Sequence, residues 1–172
     1  MAPPPNDPVA RACALLDQAR YADAAALLRR HLQKKPNDPP AVGALCFALT
    51  NLGQMEQAVF YARGLYRAAP GPTSAATLGE ALHHCRLHAE AIELLTRTLQ
   101  ESPGDGHVGF VLAESYRSAA RYAEAIDLCD RAIAEGWASD AMRSVRATSM
   151  HKLGLLDEAM KFARESQWNA PG

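Results

Sequence analysis

The stretch Arg121-Tyr122-Ala123-Glu124-Ala125-Ile126-Asp127-Leu128-Cys129-Asp130-Arg131-Ala132 has an echo far upstream, where Arg20-Tyr21-Ala22-Asp23-Ala24 opens the same phrase. The copies lie 101 residues apart, which divides into three periods of about 34 residues. Intermediate copies fill the gap. Aligned on the central alanine, the column runs Ala24, Ala58, Ala91, Ala125, Ala159, with spacings of 34, 33, 34 and 34. A second column follows it, because Pro36, Pro70, Pro103 and Pro171 each lie twelve residues beyond their alanine. Only the fourth unit departs, with Trp137 in the proline position.

Inside each unit the apolar spacing is helical and breaks once in the middle and once at the end. In the second unit Val42, Leu45, Cys46 and Leu49 form one stripe, Leu52-Gly53-Gln54 interrupts it, and Ala58, Ala62 and Leu65 form the next. Gly53 and its counterpart Gly154 suit the left-handed conformation that stops a helix. Pro36-Asn37-Asp38-Pro39 supplies a terminator, a capping oxygen and a proline for the next first turn, and Asn6-Asp7-Pro8 does the same at the front. The spacing predicts helix pairs at 8–19 with 22–35, 40–52 with 55–68, 74–86 with 89–101, 107–119 with 122–135, and 140–152 with 156–168.

Composition agrees with an all-α chain. In 172 residues, 48% are hydrophobic and 22% charged, enough apolar matter for a core. Aromatics make up only 6%, and alanine abounds, so intrinsic preference is helical. A net charge of −1 gives no global attraction to nucleic acid or to an anionic membrane. There is no apolar run of the roughly 20 residues needed to span a bilayer, and the start lacks a secretion signal, so the expected location is cytoplasmic. The four cysteines, Cys13, Cys46, Cys85 and Cys129, form no close pair, which removes zinc-knuckle and dithiol motifs. Cys46 and Cys129 fall in columns that call for small or apolar residues.

Leu78-Gly79, Leu82, Ala91, Leu95 and Pro103 give one unit the look of the tetratricopeptide repeat, a helix–turn–helix unit of about 34 residues. Five phased copies extend the resemblance over residues 5–38, 39–71, 72–105, 106–139 and 140–172, behind a flexible tail at 1–4. The resemblance implies a single right-handed superhelix. In it, Leu15, Leu49, Leu82, Tyr116 and Met150, with Leu32, Tyr66, Leu99 and Ile133, fill the space between successive units. Arg11 and Arg146 depart from the column that holds Leu45, Leu78 and Leu112. Arg11 belongs to a terminal repeat with a solvent-facing side, while Arg146 either snorkels or marks a slipped fifth unit.

In proteins of this resemblance the first helix of each pair lines a concave groove that holds a peptide or a partner helix. The resemblance carries that groove onto Leu16, Phe47, Thr50, Glu80, His83, His84, Phe110, Glu114, Arg117, Thr148, His151 and Lys152. Early units offer an apolar floor and later ones charge, which suits a segment with apolar and charged ends. Phe47 and Phe110 have a core position as their alternative. Adjacent histidines point about 100° apart on a helix, so His83, His84, His107 and His151 read as a solvated polar face, with Glu80 and His83 or His84 the one cluster suited to a metal. Two known roles of the resembling proteins lack their residues here. A carboxylate clamp of lysine, asparagine and arginine meets Val9, Cys13, Ala44, Thr73 and Thr77, and an asparagine ladder meets Ala10, Ala44, Thr77, Val111 and Val145.

The expected function is therefore a non-enzymatic module, without cofactor or metal, that binds a protein or peptide. The alternatives are the substrate-recruiting arm of a larger transferase or hydroxylase, and a self-assembling scaffold. Helix 156–168 carries Leu156, Met160, Phe162, Ala163 and Trp168 with no capping helix after it. The expectation is that the chain continues past Gly172 or that this face self-associates.

Overall fold

Aspartate or serine followed by a compatible first turn starts four of the first-type helices. In a computed structural model that describes residues 7–155, Asp7 accepts from the Val9 amide at 3.1 Å and Asp105 from those of His107 and Val108 at 3.1 and 3.0 Å. Asp38 and Ser139 cap in the same way, and prolines sit in the first turns of three helices. Among the described residues the elements are nine helices and no strand: α1 (Pro8–Asp17), α2 (Tyr21–Lys34), α3 (Pro39–Asn51), α4 (Met55–Ala68), α5 (Pro72–His84), α6 (His88–Glu101), α7 (Gly106–Ser118), α8 (Tyr122–Ala134) and α9 (Asp140–Lys152). Each end lies within two residues of its expected place. The tail at 1–4 and the expected helix 156–168 lie outside the described residues.

Five intra-repeat turns use one backbone solution. The residue after each C-cap is left-handed, with φ of 56° at Ala19, 72° at Gly53, 62° at Arg86, 58° at Ala120 and 78° at Gly154. The following amide reaches back across the turn, as Arg121 does to the Tyr116 carbonyl and Leu155 to that of Met150, at 2.9 and 3.0 Å. Gly53 and Gly154 fulfil their expected role. At Ala19, Arg86 and Ala120 a side chain is held in a conformation that costs about 1–2 kcal/mol for an L-residue. That conformation also explains why α1 and α5 stop two residues before the expected ends.

The alanine column is the inner seam. Ala24, Ala58, Ala91 and Ala125 are fully buried, as are Ala12 and Ala113 on first-type helices. Within the second repeat, the Cys46 thiol of α3 donates to the Ala58 carbonyl of α4 at 3.3 Å, so the two helices meet at backbone distance. Leu28, Leu45, Leu49, Leu65, Leu82 and Leu95 are buried behind this seam.

The chain divides into two compact units between Leu87 and His88. In the first, α1 to α5 pack in sequence, and α3 also touches α1 and α5. In the second, α6 to α9 pack in sequence, and α7 also touches α9.

Two departures from the repeat are resolved by contacts in the second unit. Arg146 keeps the fifth repeat in register: its stem packs with only 14% of the side chain exposed, its Nε pairs with the Asp130 carboxylate of α8, and its Nη1 lies 3.1 Å from the Met150 sulfur. Trp137 finds room over the start of α7. The column that holds Val42 and Ala75 has Gly109 there, and a Cβ on Gly109 would come within 2.5 Å of the indole ring.

Gly109→Ala should therefore destabilise the chain by about 1 kcal/mol, overpacking outweighing the gain in helix propensity. Ala120→Gly should raise stability by about 0.5 kcal/mol, since relief of left-handed strain exceeds the added chain entropy. Thermal unfolding of the two variants checks both signs.

Candidate functional site

Six of the twelve expected groove residues lie on the first-type helices of the first unit, and their exposures differ. Phe47 on α3 is 54% exposed, although aromatic rings are ordinarily buried. Tyr21, at the start of α2, meets it edge to face with ring centroids 6.3 Å apart. Such a pair fixes an exposed ring without covering it. Leu16 on α1, Thr50 on α3 and Glu80 and His83 on α5 are half-buried, and His84 is exposed. His83 and His84 stand ring edge to ring face, centroids 5.3 Å apart, so their nitrogens diverge. Among the described residues no group of three histidine, cysteine, aspartate or glutamate side chains is placed to hold a metal ion.

The second unit presents Phe110, Glu114 and Arg117 on α7 and Thr148, His151 and Lys152 on α9. Phe110 is half-buried, between the groove and core readings. Glu114 and Arg117 form a two-pronged ion pair, Arg117 Nη2 donating to Oε2 at 2.6 Å and Nε to Oε1 at 3.2 Å. The hydrogen bond to Glu114 holds the guanidinium above its ordinary pKa. This pair lies along one helix face, so its energy is that of an exposed i,i+3 bridge, below about 1 kcal/mol. Thr148 returns its hydroxyl to the Ser144 carbonyl at 3.0 Å, while His151 and Lys152 are exposed.

In the first unit α4 carries features outside the expected groove. Phe60 on α4 is 74% exposed, edge to face with Tyr61 at 5.6 Å. Its position was readable, because Ala58, Ala62 and Leu65 mark the buried stripe of α4 and Phe60 falls off it.

The chain matches a family model described as tetratricopeptide repeat over residues 15–81 and 87–148. Its fold is similar to that of TTC0263, a thermophilic TPR protein in Thermus thermophilus, at 22% identity and a TM-score of 0.77, covering 95% of this chain and 90% of that one. It is also similar to MamA 41-end from Desulfovibrio magneticus RS-1, at 16% identity and a TM-score of 0.67, covering 93% of each. A tetratricopeptide repeat protein from Parabacteroides merdae ATCC 43184 aligns at 14% identity and a TM-score of 0.77, over 96% of this chain and 65% of that one. At these identities the likeness is one of fold. No curated protein matches the chain in sequence.

The cysteines divide by environment. Burial pushes the Cys46 thiol up to about 12, helped by the Glu80 charge, and pushes Cys129 up to about 11, helped by Asp130. Cys129 donates to the Met142 carbonyl at 3.2 Å, so both thiols act as small donors between helices. Cys85 is raised by burial and then by Glu56, and Cys13 is exposed. An alkylating reagent on the folded chain should label Cys13 first and leave Cys46 and Cys129 unmodified until unfolding, as mass spectrometry would read. Unfolded thiols ionise from about pH 8.5 upward, whereas these two keep their protons, so stability should fall as pH rises from there toward the folded values.

Proposed function

The chain belongs to the tetratricopeptide repeat family, and from that premise we propose that it is a non-enzymatic module that recruits a protein through a peptide or helical segment laid on its first-type helices. The observation that carries this reading is Phe47, more than half exposed and braced by Tyr21 on the face made by α1, α3 and α5. An aromatic ring already ordered before binding supplies contact area at little entropic cost, the usual character of a binding hot spot. Leu16 extends the apolar area, and Thr50, Glu80, His83 and His84 supply polar partners around it. The second unit carries a polar site of its own in Glu114 and Arg117, where both carboxylate oxygens can accept again and the two Nη groups retain N–H donors for a charged segment.

Peptides selected from a random display library on the chain provide the test. Phe47→Ala should weaken the selected peptides by about tenfold. Arg117→Glu should weaken those with acidic residues while changing thermal stability by less than about 1 kcal/mol. Peptides that bind both variants as well as they bind the unaltered chain would contradict this site.

A further inference from the structure

The net charge of −1 conceals a division along the chain. α2 and α4 carry five lysines and arginines against two acidic residues, a net of +3, while α6 and α8 carry six acidic residues against two arginines, a net of −4. The second-type helices of the two units thus present opposite signs, the acidic side reduced by Arg121 on Glu124 and Arg146 on Asp130.

Each of these surfaces also has a recess. On the first unit a groove of about 820 Å³ runs between α2 and α4, and Phe60, Arg63, Gly64 and Arg67 follow one another along its α4 wall at helical spacing. Phe60 projects beside Gly64, where a Cβ would meet nothing within 4 Å. Arg29 crosses from α2 to donate to the amide oxygens of Gln54 and Gln57 at 3.2 and 2.8 Å, acceptors that hold it without cancelling its charge. On the second unit a cavity of about 460 Å³ has apolar walls that include Leu99, Leu128 and Trp137, and a rim on which Glu124, Asp127 and Glu135 outnumber Arg131, with Glu124 bound to Arg121 beside it. One face carries a ring that is 74% exposed with arginines beside it, and the other an apolar recess whose edge holds more carboxylates than arginines.

We propose that these faces bind each other between copies of the chain: Phe60 of one copy seats in the α6–α8 cavity of the next, with Arg63 and Arg67 over its acidic rim. The joined faces differ, so the contact is head to tail, and every docked pair leaves one face of each kind open. Assembly then proceeds to a ring or a filament. The contact uses no residue beyond Leu155, and from the first-type helices only Leu112 and Tyr116 of α7 line its cavity. Opposed charges orient the encounter, and salt screens them.

Sedimentation velocity on the full chain tests this with two double variants, Phe60→Ser with Arg67→Glu and Glu124→Lys with Asp127→Lys. Phe60, Arg67 and Asp127 are exposed and Glu124 half-exposed, and unchanged helix content and melting would certify their folds. The unaltered chain is expected to associate with rising concentration at low ionic strength and to dissociate in about 0.5 M salt. Each variant alone is expected to sediment as a monomer, and an equal mixture as a dimer containing one of each, because each retains the face the other lacks. An unaltered chain that stays monomeric at every concentration would overturn the proposal and leave the basic groove to an acidic partner of another kind. Association that persists in either variant, or variants that do not pair, would equally overturn it and point to a different surface.

Discussion

The close approach of two helices at a column of small residues is the constraint on which the rest of the structure depends. Ala12, Ala24, Ala58, Ala113 and Ala125 have no exposed surface, and the Cys46 thiol reaches the Ala58 carbonyl across the seam. At such a distance there is no room for a large side chain, so leucines are displaced to the flanks, where they join one helix pair to the next within a unit. A buried leucine behind an alanine seam is worth roughly 1.5–3 kcal/mol of transfer free energy. Because this arrangement recurs between neighbouring helices within each unit, stability there accumulates from helix pair to helix pair rather than about one centre.

The seam also decides which residues are free to act. A first-type helix turns one stripe to its partner and another to the adjacent repeats of its unit, and what remains carries Phe47 and Glu80 in the first unit and Glu114 and Arg117 in the second. A second-type helix likewise retains an outer stripe, the site of Phe60 and of the opposite charges of the two units. Neither face is needed to hold the fold, which allows exposed aromatic rings and unbalanced charge to be carried there at small cost in stability. The buried cysteines illustrate the converse: packed between helices, with thiols donating to backbone carbonyls, they are chemically quiet.

Much of the fold was legible in the sequence because it is periodic. The alanine and proline columns located all nine described helices, and Asp-Pro and glycine signals placed their ends to within two residues. What escaped was compensation between positions far apart in the chain. Nothing local says that the Trp137 indole will lie over Gly109, or that Arg146, in a leucine column, will be held by Asp130 from the preceding helix. Left-handed Ala19, Arg86 and Ala120 were hidden for a related reason, since the repeat imposes a turn that their side chains would not choose. The site was less legible than the fold. Phe47 could be numbered from the repeat, but only its contact with Tyr21 distinguishes a braced exposed ring from a core one, and Phe60 lies on a second-type helix, outside the groove that the repeat implies.

The most direct measurement of the central claim compares the same added volume at two alanines by thermal and denaturant unfolding. Ala58→Leu, inside the seam, should cost about 1–3 kcal/mol, because the helices must separate to admit the side chain. Ala26→Leu, on the exposed side of α2, should change stability by less than about 0.5 kcal/mol. Equal effects at the two positions would contradict a fold held together at its small residues.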